Sequence, residues 1–249
     1  MVNLYNYLDK RKSIRTVDKN NQLTDEDFMK IYIYLNQLKP LFDEYKIRTE
    51  IVKNDETNSK IGEYNLLIYS TKPETKNSDY LLNVGYMFEQ LDLYLYSINI
   101  GCCWLGLPKP KGDLKDSEYV IMLGLSKIKD EDLRKDLSEF KRKNINETWS
   151  GVFNQDVIEK SSLAPSACNS QSWNVLVEYN VLYVYRDKNV KTIIPRGFRR
   201  FFNSIDLGIY LCFLEVALLK NNYKFNRTII NDEFDKNDLI LIARYEVYE

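Results

Sequence analysis

Residues 83–106 constrain this chain more than any other stretch. Val84, Phe88, Leu91, Leu95 and Ile98 recur at alternating steps of four and three, which lays one apolar seam along a helix of about four turns. Glu89 and Asp92 fall off that seam, so the segment is not a membrane span, which wants ~20 nearly uncharged residues. Gly101 follows the last periodic residue, where a left-handed helix cap favours glycine. Cys102-Cys103-Trp104-Leu105 then leads to Gly106, a short buried run able to bring backbone donors close to a flat ligand.

Much later, Ile205, Ile209, Cys212, Val216 and Leu219 repeat the same step pattern. The elements around each seam recur in the same order. Tyr5–Leu8 reads as a helical turn, and Thr24, followed by Asp25, Glu26 and Asp27, caps a helix that buries Phe28, Ile31, Leu35 and Leu38 and stops near Pro40. Strands are expected at Ile47–Val52 and Tyr64–Tyr69, joined by a polar loop around 54–60, and again at Tyr119–Leu125. In the second half Val157–Leu163 reads as helix. Val175–Val177 and Leu182–Tyr185 read as strands around a Tyr179-Asn180 turn, and Leu239–Val247 as a last strand. Pro40 maps to Pro165 at an offset of 125, Gly85 to Gly208 at 123 and Tyr119 to Leu239 at 120. Matching order at nearly constant offset indicates an internal duplication. The expectation is an α+β fold: two tandem repeats of helices around an antiparallel or mixed sheet, forming one compact unit over 1–249. Repeat one spans 1–130, a charged connector read as a largely solvated linker spans 131–150, and repeat two spans 151–249.

Composition narrows the chemistry. The chain of 249 residues contains no histidine, which removes imidazole metal sites, Ser-His and Cys-His nucleophile pairs and imidazole proton shuttles. A net charge of −1 gives no global attraction to nucleic acid or anionic membranes. Cys102, Cys103, Cys168 and Cys212 form no CxxC and sit among apolar residues, so they read as reduced core thiols. Residues 1–12 carry four charges and no apolar run, which argues against a signal peptide and for a cytoplasmic protein.

Two stretches stand out as candidate binding sites. Lys10, Arg11, Lys12 and Arg15 crowd into six residues with Ser13. They read either as an exposed basic turn or as a phosphate clamp of charge-assisted donors. Ala164-Pro165-Ser166-Ala167-Cys168-Asn169-Ser170-Gln171-Ser172-Trp173 offers hydroxyl and amide groups suited to a heteroaromatic edge, or is an ordinary helix-to-strand connection. The matching first-half stretch from Lys39 to Tyr45 keeps the proline and none of that polar set. Arg196, Arg199 and Arg200 read best as a solvated loop before a helix, with a dinucleotide phosphate contact as the alternative.

Arg11-Lys12-Ser13-Ile14-Arg15 resembles the Arg-Arg-Ser-x-Arg signature of the FMN-dependent nitroreductase family. Residues 164–173 resemble that family's Ala-Pro-Ser-x-x-Asn-x-Gln-Pro-Trp, with Ser172 in place of proline. The stretch from Gly85 through Gly106 is similar to its central-helix motif, and residues 142–147 resemble a basic segment near its C-terminus. The resemblance implies a nitroreductase-like fold. Because each copy keeps the motifs that the other lacks, it also implies the single-chain branch, in which two fused copies form an intrachain pseudo-dimer with long central helices and one composite site. It further implies FMN held by Arg11, Lys12, Ser13, Arg15 and Arg142, by Cys103, Trp104, Leu105 and Gly106 along the ring, and by Pro165, Ser166, Ala167, Asn169 and Gln171 from the second copy. No catalytic side chain is implied. NADH or NADPH would donate electrons through FMN to a small-molecule acceptor such as a nitroaromatic, quinone or flavin, with Trp104, Trp173 and the Phe198–Phe202 region walling the cleft. A monomer follows, since the pseudo-dimer already buries the pairing seam. A degenerate protein that binds flavin or another planar ligand without turnover is the alternative.

Overall fold

The computed structural model describes residues 1–74, 77–112, 118–230 and 238–249. After a 3₁₀ turn at Val2–Tyr7, the first half runs α1 (Asp25–Leu35), β1 (Ile47–Lys53), β2 (Tyr64–Ser70), α2 (Asp79–Ser97), β3 (Ile100–Leu105) and β4 (Tyr119–Lys127). Thr24 caps α1: its Oγ1 accepts from Asp27 N–H, and Asp27 Oδ2 accepts from Thr24 N–H. Asp27 Oδ1 also takes Lys127 Nζ at 2.6 Å, which pins α1 to the end of β4. The second half runs β5 (Trp149–Ser150), α3 (Gln155–Ser162), β6 (Trp173–Glu178), β7 (Val181–Asp187), α4 (Arg196–Lys220), β8 (Lys224–Ile229) and β9 (Leu239–Tyr248).

The two sheets share a plan. The first has order β1-β2-β4-β3, all antiparallel. The second has order β5-β6-β7-β9-β8, antiparallel except for the short parallel β5–β6 pair. In each half an antiparallel strand pair is followed by a long helix, an edge strand and a central strand. The helices cross where both backbones lack a side chain. A Cβ on Gly85 would stand 2.1 Å from the Ile205 carbonyl oxygen, and one on Gly208 would stand 2.0 Å from that of Leu82. Glycine lets the helices touch backbone to backbone, and both are buried along most of their length. α4 is long and apolar enough to cross a membrane, but 89% of its apolar window lies inside the protein, so it is a core helix.

Several expectations change. The left-handed residue after α2 is Asn99 (φ 59°), not Gly101. Gly101 lies in β3, and the Ile14 and Ile128 side chains occupy the space where its Cβ would be. The buried run after α2 is therefore a strand, and Ile14 N–H donates to Cys102 O at 3.0 Å, which lays the N-terminal arm beside β3. β5 and β8 were not anticipated. Arg196, Arg199 and Arg200 form the start of α4 rather than a loop before it. The connector is exposed along much of its length, as a solvated linker would be, but it is also held to the rest of the chain. It makes 3₁₀ turns at Asp130–Asp132, Leu137–Glu139 and Ile145–Glu147 and straps across the N-terminal arm. Arg134 N–H donates to Lys10 O, its guanidinium donates to Arg11 O, and that group stacks 3.9 Å over Phe140.

Candidate functional site

A cleft opens where the N-terminal arm and β3 of the first half meet α4 and the 165–171 loop of the second. Ser13, Arg15, Trp104 and Gly106 line one side, and Pro165, Ser166, Ala167, Cys168 and Asp206 line the other. Ile121, Ile205 and Ile209 supply apolar surface, and Phe202 also lines it. Strand alternation selects the β3 contributors. Trp104 and Gly106 face the cleft, whereas Cys103 and Leu105 face the opposite side in a small core with Leu67, Tyr69 and Met122. The cavity measures ≈ 140 Å³, below the roughly 300–1,000 Å³ of typical ligand pockets. Phe202 narrows it: a Cβ on Gly106 would lie 2.2 Å from the Phe202 ring.

Arg11 does not reach the cleft. It is 1% exposed, and its Nε lies 3.1 Å from Asp92 Oδ2 and 3.8 Å from Glu89 Oε1. Burial works against its charge, but Asp92 and Glu89 more than compensate and hold it cationic. Arg11 therefore belongs to the core rather than to an exposed basic turn. Lys12 is also absent from the lining, and its carbonyl accepts the Tyr96 hydroxyl. Sequence reasoning set Glu89 and Asp92 aside as off the apolar seam, yet both are fully buried. They fork the Trp104 indole N–H between them, at 3.0 Å to Glu89 Oε2 and 3.1 Å to Asp92 Oδ2, and so orient one wall of the cleft. Burial pushes both carboxyls above their usual range, with mutual repulsion adding for Glu89, while Arg11 and Trp104 pull them back.

The 165–171 loop has an unusual backbone. Cys168 (φ 51°), Asn169 (φ 54°) and Gln171 (φ 47°) are all left-handed without being glycine, a conformation that costs of order 1–3 kcal/mol per residue unless the surroundings enforce it. They do. Gln171 N–H donates to Ser166 Oγ, Ala167 N–H to Asp206 Oδ1, and the Ser170 hydroxyl to Asp206 Oδ2. From behind, Arg142 donates to Asn169 Oδ1 and Leu163 O, Asn169 Nδ2 to Lys141 O, and Lys143 N–H to Gln171 Oε1. Asn169, Gln171 and Arg142 thus bind the loop to the strap rather than line the cleft. The loop also carries Cys168 outward, so this cysteine is exposed and is not a core thiol.

Arg142 has an electrostatic peculiarity. Burial, then Arg11 and Arg134, lower its pKa to about 9. Among the described residues no carboxylate pairs with it, so an anion placed there would relieve both penalties. Trp173 is no cleft wall; it is buried and stacks on Tyr210 at 4.8 Å. Arg199 turns back to donate to Ile194 O, and neither it nor Arg196 or Arg200 lines the cleft. Asp206 escaped the sequence reading, although its place 123 residues after Asn83 was available as a signal.

Two sheets sandwiching crossed core helices, with a cleft where the halves join, define a mixed α+β fold of nitroreductase type. A crystal structure from Thermotoga maritima described as a "putative nitroreductase" superposes with a TM-score of 0.64 at 16% identity, covering 98% of this chain and 93% of that one. A nitroreductase family protein from Clostridium novyi NT aligns at TM-score 0.40 and 17% identity, over 55% of this chain and 90% of that one. No curated protein matches. Residues 3–218 match the family described as "Putative TM nitroreductase", and the chain belongs to that family. Membership points to an oxidoreductase.

Proposed function

We propose that the chain is an FMN-dependent NAD(P)H oxidoreductase of nitroreductase type, a cytoplasmic monomer with one composite site built from two fused copies. The observation that carries this reading is the cleft itself, in which the arm and β3 of one half face the proline-serine loop of the other. The residues fit the group. Arg15 and Ser13 present donors at the cleft, and the isoleucines and Trp104 offer apolar surface to a flat ring. Arg15 and Ser13 would hold the phosphate side, while Arg142 acts from behind the loop by holding Asn169 and Arg11 by holding Asp92 against Trp104. Trp104 and Phe202 would exclude water from the ring faces, and Ser166 and the Ala167 backbone would meet its edge. When bound, FMN would supply hydride transfer from a nicotinamide donor to a small acceptor, whose identity the cleft leaves to shape.

One observation favours the alternative, a planar-ligand binder without turnover: Phe202 stands against Gly106 and leaves a cavity narrower than a flavin requires. Titrating the purified chain with FMN and then anaerobically with NADH or NADPH separates the two. The oxidoreductase reading expects one FMN per chain and bleaching of the flavin band by a nicotinamide. Binding without bleaching by either nucleotide supports the alternative, and no binding overturns both.

A further inference from the structure

Each long helix sends a side chain to hold the loop that leads into the antiparallel strand pair of its own half. On α2, Asn83 Oδ1 accepts from the backbone N–H groups of Leu41 (2.8 Å) and Phe42 (3.2 Å). On α4, Asp206 Oδ1 accepts from Ala167 N–H (2.9 Å) and Oδ2 from the Ser170 hydroxyl (3.2 Å). Asn83 and Asp206 stand 123 residues apart, as Gly85 and Gly208 do, and Phe42 and Ala167 each follow their proline by two residues. A neutral amide therefore suffices to hold such a loop. In the half whose loop borders the cleft, the same position carries an ionisable carboxyl, 3% exposed and part of the cleft lining. Holding the loop does not account for the acid.

Burial pushes Asp206 up to about 7, against the pull of its two hydrogen bonds. The charged and titratable groups around it are Arg15 on the arm, the Cys168 thiol on the loop, Tyr210 one turn along α4, and Arg142 behind the loop on Asn169. None of them hydrogen-bonds or ion-pairs with the carboxylate. A ligand that fills the cleft takes away the remaining water, and any negative charge it carries adds repulsion; both disfavour the charged form.

Resting on the flavin reading above, we propose that Asp206 is the proton-carrying residue of the cleft: filling the cleft with a flat ligand converts Asp206 to the neutral acid, with one proton taken from solvent. The occupied cleft then holds an O–H donor that the first half, with Asn83, lacks.

The test is FMN binding to the full chain between pH 7 and 9, above the second phosphate ionisation near ~6. Calorimetry in two buffers of different ionisation enthalpy counts the protons taken up. Wild type is expected to take up close to one proton at the alkaline end, with affinity falling about tenfold per pH unit there. Asp206→Asn, which keeps an acceptor for Ala167 N–H as Asn83 does for Phe42, is expected to bind FMN with no proton uptake and a flat pH profile. Asp206→Ser, also without an ionisable group, gives the same reading if the asparagine variant does not fold. FMN binding with no uptake by wild type, or with undiminished uptake by the variants, overturns the assignment of Asp206 alone. Absence of FMN binding by wild type overturns the flavin reading and this one with it.

Discussion

The two halves of the molecule share a backbone plan and use it differently. Beyond Gly85 and Gly208, an offset of 123 links Asn99 (φ 59°) with Asn222 (φ 64°), the left-handed residues that end the two long helices. It also links Asp92 with Glu215, one buried acid on each of those helices. The central strand pairs β2–β4 and β7–β9 each slip register once, after Ile68 and after Val184. The side chains then diverge. Glu215 is fully engaged by Arg227 (2.5 Å), Tyr86 (2.6 Å) and Tyr245 (2.8 Å) in a closed network. Asp92 shares one arginine with Glu89, and the same Oδ2 that takes Arg11 also accepts the Trp104 indole N–H at the cleft. The loop after Pro40 packs Leu41 and Phe42 against the core, whereas the loop after Pro165 is polar and borders the cleft. The matched features are those that set backbone paths. The site arises where the side chains at matched positions differ.

The largest effect is expected at the crossing. Gly85→Val and Gly208→Val each place a branched side chain where even a Cβ would lie about 2 Å from a carbonyl of the facing helix. The neighbouring atoms are backbone, so the conflict exceeds the about 1–3 kcal/mol of ordinary overpacking. Neither variant is expected to show a cooperative unfolding transition by circular dichroism. If one folds normally, the crossing is not equivalent from its two sides and the comparison fails at its centre.

This crossing also shows what the sequence could reveal. The seams, the Thr24 cap and the matching of Gly85 with Gly208 were legible because helical spacing and constant offset are written in one dimension. Most of the strands were legible for the same reason. The short edge strand Lys224–Ile229 alternates only between exposed and half-buried positions, which gives little contrast to read. Arg11 illustrates the other limit. Four basic residues in six look the same whether they meet solvent, a phosphate or two buried carboxylates, and the difference lies in partners 78 and 81 residues away on α2. Glu89 and Asp92 misled in the complementary way, since a helix buried on all sides has no solvent face for off-seam residues. The cleft was legible as a set of loops. Which side chains enter it depends on the pleat of β3 and on the connector reaching back across the arm.

The buried acids sharpen the comparison at the next level. Arg11→Ala removes the only cation paired with Glu89 and Asp92 among the described residues, and breaking such a buried pair costs about 3–5 kcal/mol. Arg227→Ala is expected to cost about 1 kcal/mol, because Glu215 keeps two tyrosine hydroxyls and Arg227 is partly exposed. The Arg11 network also carries a pH dependence. The folded-state pKa values of Glu89 and Asp92 are raised, so the folded state favours their protonated forms. Their contribution to stability is fully present below the unfolded carboxyl pKa near 4 and is lost as pH rises through the folded values. Removing Arg11 raises those values further, so the deficit of Arg11→Ala is expected to be small near pH 4 and to grow toward pH 8 in urea titrations. An Arg11→Ala deficit no larger than that of Arg227→Ala, or one independent of pH, would mean that the two networks do the same work.

The smallest effect concerns the first strand connection of each half. Between β1 and β2 the chain spends residues 54–63, which interlock with 109–111 through Asn58 and Lys109 and through Lys111 and Glu56. That loop helps cover a second small core on the outer face of the first sheet. Between β6 and β7 there are only Tyr179 and Asn180, and the second sheet alternates between buried and more exposed positions. Tyr179 has φ 55° and is fully exposed, while Asn180 is tied to β9 through Val247. A left-handed first turn residue followed by one that is not is the arrangement in which two-residue hairpins favour glycine first. Tyr179→Gly is therefore expected to stabilise the chain by roughly 0.5–1 kcal/mol, a rise of about 2 °C in Tm for a chain of this size, readable by calorimetry. The same logic run backwards applies to Gly62 (φ 86°) in the longer loop. There a Cβ would meet the backbone of Tyr64 and Gly124 within 3 Å, so Gly62→Ala is expected to lower Tm. Opposite signs at the two connections would show that one is a bare turn free to be improved and the other a lid whose backbone is already committed. A loss of stability in Tyr179→Gly would instead mean that the tyrosine supports the turn in a way its exposure conceals.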